Sequence, residues 1–379
     1  MKTGIVVVVA ALMVAIMGLG WHLSRGKIHP PEKARAAADP DAPAASNPAT
    51  SIFHASTSGA GTSIDPATNA ASVNSVFKRI ASGEKAAVTV PPETIRAYVQ
   101  SNGSSAESLL VAFQASSNRE YLVTAAMTFP HDPRVQLAVL MNPNLPGVPE
   151  DRATWLARFK QDAADNPLPN YIAARDAFKA QQPQSALQEL VSASAKPRYR
   201  DYVVENIQAM EELYLADGRP PAEAKLAGMA NVLLPHLMLL RELGKDEVDL
   251  QKRYLAAGDQ RSADLLAADA VRMARQLSAG EGAVSLLSQM VGASIESSAL
   301  KEYPPEARPA FLSASAQERL TELQQQRESV RASAKFWDQW IGTASASDVI
   351  AYFDRVKLSG ESGAMAWLQN RTATSTPVP

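Results

Sequence analysis

Residues 247–277, EVDLQKRYLAAGDQRSADLLAADAVRMARQL, read as two helices joined by a tight turn. Leu250, Tyr254 and Leu255 mark one face of the first. Ala263, Leu266, Ala267, Ala270, Met273 and Ala274 mark the second. The spacing of three and four is that of a helix with one buried stripe. Gly258, in the turn Ala257-Gly258-Asp259, ends the first helix because a residue without a β-carbon adopts the left-handed cap at little cost. Small residues on the second helix allow two backbones to approach closely. A hairpin with one apolar face must bury it, so the expected fold class is all-α, built from stacked antiparallel helical hairpins. This is an architecture, and it carries no activity with it.

The rest of the composition agrees. The 379 residues suffice for one large or two ordinary domains. Aromatic residues are few, and long alternating β-branched runs are missing. Cysteine is absent, which removes disulfides, thiolate metal sites, cysteine nucleophiles and lipid-modified cysteine. A net charge of -2 gives no electrostatic footprint for nucleic acid, and no partner of that kind is expected. No cofactor or metal motif occurs.

Residues 4–21 contain no charge. As a helix they would rise about 27 Å, close to the ~30 Å hydrocarbon layer. Residues 1–23 therefore read as a membrane anchor or a signal. The small-residue pattern Ala34-Arg35-Ala36 lies too far downstream for a cleavage site, which favours a retained anchor. Orientation signals conflict. Arg25, Lys27, Lys33 and Arg35 follow the span, and a strict positive-inside count leaves the body in the cytoplasm. The very short leading tail instead matches an exported bacterial-type chain, and a periplasmic body is the expectation.

Residues 24–72 form a linker. Ala, Pro, Ser, Thr and Gly supply 33 of its 49 residues, too little apolar surface to offset ordering entropy. Its root-mean-square reach is roughly 40 Å. The helical body is expected over 73–368 and a disordered tail over 369–379. Within the body, Val73, Val76, Phe77 and Ile80 make a short first helix. Residues 221–243 read as one helix kinked at Pro235, and 283–300 as another. In 315–341, Leu320, Leu323, Arg327, Val330, Ala334, Trp337 and Ile341 form a seam of coiled-coil type flawed by Arg327. A helix over 347–357 and a stub at 364–368 follow.

Three segments resemble tetratricopeptide-type repeats. The first pattern is Leu250, Tyr254, Gly258, Ala263, Ala267, Ala270, and the second is Ala173, Ala174, Ala186, Leu190, Ala193, Pro197. In the third only Leu122, Ala125 and Pro130 remain. The units are not spaced at the family's period of about 34 residues, and its first-helix tryptophan is missing. The resemblance covers about a quarter of the chain. It implies a curved stack of helices that holds other proteins, and it carries over no catalytic residue.

Candidate sites are few. His131 lies in Pro-His-Asp-Pro, where Asp132 is expected to cap the next helix. His236 follows Pro235 and is expected to bond a carbonyl freed by the kink. Lys196, Arg198 and Arg200 with Tyr199 and Tyr202 form a small basic and aromatic patch. Glu211-Glu212 and Asp246-Glu247-Asp249 lack the spacing of a calcium loop. Gly280-Glu281-Gly282 is followed by no Lys-Ser or Lys-Thr, so it is no phosphate loop. Phe336, Trp337 and Trp340 cannot all share one helix face, so some could anchor a partner while others pack on the last helix. The partner-binding candidates are accordingly Phe336, Trp337, Trp340, Arg198 and Tyr199.

The expected function is a non-catalytic, membrane-anchored scaffold of the cell envelope that binds another protein. Two alternatives stay open: an envelope enzyme acting on a glycan polymer such as peptidoglycan, and a structural protein self-assembling through 315–341.

Overall fold

The computed structural model describes residues 75–79, 89–143, 145–148, 150–279 and 284–375. The anchor and linker expectations, and Gly280-Glu281-Gly282, lie outside these residues. The described chain is all-α. After the short helix 75–79 come α1 (Pro92–Ser101), α2 (Ala106–Ser116), α3 (Arg119–Thr128), α4 (Pro133–Met141) and α5 (Arg152–Asp162). Then follow α6 (Leu168–Lys179), α7 (Pro183–Ser194), α8 (Val203–Ala216), α9 (Pro221–Asn231) and α10 (Pro235–Ala256). The last four are α11 (Gln260–Ser278), α12 (Leu286–Leu300), α13 (Ala316–Ile341) and α14 (Ala346–Ser375).

Local chemistry sets these boundaries. Asp132, Asp151 and Asp259 accept from backbone N–H groups of α4, α5 and α11 at 2.8, 2.8 and 3.0 Å. Ser105 and Ser285 cap α2 and α12 in the same way. Ser315 and Glu318 form a reciprocal capping box at the start of α13. Each such cap contributes about 1 kcal/mol. Gly258 takes a φ of 77° between α10 and α11, as the turn requires.

Consecutive helices pack as antiparallel neighbours, chiefly α6 with α7, α8 with α9, α10 with α11, and α11 with α12. Alanines make these seams close. Ala174, Ala186, Ala193, Ala263, Ala267 and Ala274 are all fully buried. At Gly292 of α12 an added β-carbon would lie 2.5 Å from the Ala274 carbonyl oxygen of α11. Contacts also join helices distant in sequence: α6 with α10, α2 with α8, and α9 with α14. Trp155, Phe159, Tyr214 and Met210 are among the largest side chains sealed in the core.

Several boundaries differ from expectation. Residues 221–243 are not one kinked helix. The chain leaves helical geometry at Val232, and Pro235 starts α10 as its first residue. There proline's missing N–H belongs to the group that no helix satisfies internally. The first arm of the central hairpin therefore runs 22 residues, from Pro235, and does not begin near 247. The long helix at 316–341 is present, but its seam faces its own chain. Leu323, Val330 and Ile341 are buried in the body, and Arg327 donates to the Ala293 carbonyl of α12 at 3.0 Å. Arg327 thus satisfies a backbone acceptor and is no flaw. The helix expected at 347–357 and the stub belong to α14, whose two parts meet at the non-helical Gly360. Helix continues to Ser375, past the expected body boundary at 368.

Candidate functional site

The aromatic triplet of α13 lies against the body. Trp337 meets Phe77 edge-on, with ring centroids 5.2 Å apart, and Tyr352 of α14 at 6.3 Å. Trp340 stacks obliquely on Tyr352 at 5.5 Å. Phe336 is half-buried against the same core. The triplet therefore binds α13, α14 and the 75–79 helix together. The indole N–H of Trp337 and one oxygen of Asp338 are buried there without a hydrogen-bond partner.

The patch at 196–202 divides. Arg198 is exposed, with Asp165 at 3.8 Å, whereas Tyr199 is 4 % exposed. Tyr199 is thus corrected from a surface contact to a core residue. Burial raises its hydroxyl pKa well above the ordinary tyrosine value, and its oxygen has no hydrogen-bond partner. Asn166 fixes this segment by donating to the Arg200 carbonyl at 2.8 Å and accepting from the Arg200 N–H at 3.2 Å. With Arg198 exposed and Tyr199 buried, the two side chains do not form one surface for a ligand.

Each of the two body histidines meets an aspartate. His131 is exposed and lies 3.1 Å from Asp162, while Asp132 caps α4 as expected. His236 bonds no freed carbonyl, because no kink exists. It is the second residue of α10, and its Nε2 lies 3.2 Å from Oδ2 of Asp201, both side chains nearly sealed. The evident effect of the pair is to pin the 196–202 segment to α10.

A second polar cluster joins α8, α9 and α14. Lys225 bonds Glu211 at 2.6 Å and Asp354 at 2.5 Å. Lys357 bonds Glu211 at 2.8 Å and the Gln208 side chain at 2.7 Å. Two cations face two anions, so the cluster is internally balanced.

An open cleft of about 460 Å³ lies where α11 ends and α13 begins. Arg275, Ser278, Ser313, Arg319, Glu322 and Gln326 line it. Arg319 is fixed by a forked contact to Glu296, at 2.7 and 2.9 Å, and by Glu322 at 2.8 Å. These bonds push its guanidinium pKa still higher. Arg275 is exposed at the rim. The cleft thus presents guanidinium, hydroxyl and amide groups to a carboxylate or peptide carbonyl, and its one carboxylate is tied to Arg319. Such a lining can hold a polar chain through charge and hydrogen bonds. Among the described residues, no group of three or more His, Asp or Glu is placed to hold a metal ion, and no helix is long and apolar enough to cross a membrane.

Asp201, Lys225, Lys357, Arg275 and Arg319 escape a reading by motif. Only Lys225 carries a sequence signal, a lone cation in the small-residue run Ala-Glu-Ala-Lys-Leu-Ala-Gly. Asp201 and Lys357 become notable through partners far along the chain, Arg319 through Glu296 of the preceding helix, and Arg275 through its place in the cleft. No family model, no curated protein and no solved structure matches this chain.

Proposed function

We propose that this chain is a membrane-anchored scaffold of the cell envelope that binds another protein and catalyses no reaction. The observation that carries the reading is the hairpin organisation of the body. Helices α6/α7 and α10/α11 pack in sequence, with the alanines of the repeat-like patterns buried between them. Such a stack offers a broad rigid surface more readily than a closed reaction pocket. Two sequence features support the location: the uncharged run 4–21 and the linker 24–72, which would let the body range about 40 Å from a bilayer. On this reading the body lies on the exported side, and the α11–α13 cleft receives an acidic or main-chain segment of the partner through Arg275 and the serine hydroxyls.

In-cell cross-linking of the full-length chain, followed by purification from membranes and mass spectrometry, tests this. One recurrent partner, lost when Arg275 is replaced by glutamate and kept when the linker is shortened, is the expected result. Recovery of the chain alone would replace the reading with self-assembly. Recovery of a glycan with no protein would replace it with an envelope enzyme or a glycan-binding protein.

A further inference from the structure

The seam where α10 meets α6 and α11 contains a carboxyl group with no counterpart. Glu247, midway along α10, is 1 % exposed, and neither of its oxygens has a hydrogen-bond donor. The polar groups of the neighbouring helices are directed to other partners, although Nε of Arg175 is itself buried without one. From α11, Arg272 holds Asp269 at 2.8 Å. From α6, Tyr171 donates its hydroxyl to Gln276 at 2.6 Å, and Arg175 lies 2.7 Å from Glu242 and 3.3 Å from Asp246. One turn along α10, Gln251 donates its amide to the Ala299 carbonyl of α12. Glu296, the ionisable residue of α12, is tied to Arg319.

An ionised carboxylate here would be stripped of water without compensation, at a cost of several kcal/mol. Asp269 and Asp246 would add like-charge repulsion. A neutral carboxylic acid avoids both penalties. We propose that Glu247 is a proton-dependent latch: its acid form lets α10 seat between α6 and α11, and loss of the proton loosens the joint between the two hairpins.

The electrostatics point the same way. Burial first, then Asp269 and Asp246, raise the Glu247 pKa well above the ordinary glutamate value. Burial also raises that of Asp269 to about 6. Both groups bind protons more tightly when folded, so their stabilisation is full in acid and is lost as pH rises through the folded values. The joint is therefore tight in acid and loosens in alkali. This inference does not depend on the identity of any partner.

Hydrogen exchange of the full-length protein, corrected for the intrinsic effect of pH on exchange, tests the latch in peptides from α10 and α11. Between about pH 6 and about pH 9 their protection should fall by about tenfold or more in the wild type and clearly less in Glu247→Gln, where only the smaller contributions of Asp269 and Glu361 remain. Unchanged wild-type protection, or an equal fall in both proteins, would overturn the proposal. Should Glu247→Gln not fold, infrared spectra of Glu361→Gln with isotope-labelled glutamate decide. A neutral-acid carbonyl band that persists above the ordinary glutamate range and disappears where α10 loses its protection sustains the latch, and the lack of such a band refutes it.

Discussion

Lys225 and Glu211 meet at 2.6 Å with both side chains 8 % exposed, and through them α9 is bonded to α8. The same lysine reaches Asp354, and Glu211 reaches Lys357, so the last helix is tied to a hairpin more than a hundred residues earlier. Lys225→Met leaves Glu211 and Asp354 with one cation between them. The expected loss is about 3 kcal/mol, because a buried charge is left partly uncompensated. Replacing Lys225 and Glu211 together should cost less than the two single changes added. Urea unfolding of the four proteins in the cycle measures this, and strict additivity would show that the pair is not coupled.

Gly292 sits where α12 crosses α11. A β-carbon there would lie 2.5 Å from both the Ala274 carbonyl oxygen and the Ser278 hydroxyl oxygen. Backbone cannot move aside cheaply, so Gly292→Ala should destabilise by about 1–3 kcal/mol through overpacking. Gly258→Ala meets nothing within 4 Å, and its cost should arise from the φ of 77° alone, about 1–2 kcal/mol. Thermal unfolding of Gly292→Ala in a Ser278→Gly background separates the two contacts: partial recovery is expected if the hydroxyl contributes, and none if only the carbonyl matters.

Glu361 follows the break at Gly360 and accepts from the Leu286 N–H at the start of α12. Burial raises its pKa from 4.5 to about 7, while that hydrogen bond opposes the shift. Because the folded value is the higher one, the contribution to stability is complete below 4.5 and is lost as pH rises through about 7. Urea midpoints measured across that window should decline in the wild type and decline less in Glu361→Gln. Equal slopes would remove Glu361 as a source of the pH dependence.

Trp337 joins Phe77 to Tyr352. Trp337→Ala should cost about 2 kcal/mol, less than the ~3–5 kcal/mol of a fully buried tryptophan, because the ring is half-buried. Phe77→Ala should cost less still while exposing the 75–79 helix to proteolysis. Limited digestion that cuts near residue 77 equally fast in wild type and variant would show that this ring contact does not retain the segment.

Much of the architecture is legible before any coordinates. The turn at Gly258, the cap at Asp132 and the alanine-lined helices all follow from short-range rules. Pro235 is instructive because the same residue kinks a helix interior or begins a new helix. Periodicity alone did not separate these outcomes, since Leu226, Met229, Leu233, Leu237 and Leu240 keep helical spacing across the break. The candidate contacts were less legible. Three aromatics in five residues signal a contact without saying whose, and here Phe77 and Tyr352 of the same chain provide it.

What the sequence by itself determined is the kind of element and most of its ends. Helical period, capping side chains and glycine or proline punctuation act within a few residues and need no distant partner. The tertiary structure decided which groups are paired, sealed or free. Glu211 with Lys225, Asp201 with His236, and the solitary Glu247 have no local signature. Their state depends on where remote helices place the next charge, and in a low-dielectric seam that placement fixes whether a carboxylate is held by a cation or must keep its proton.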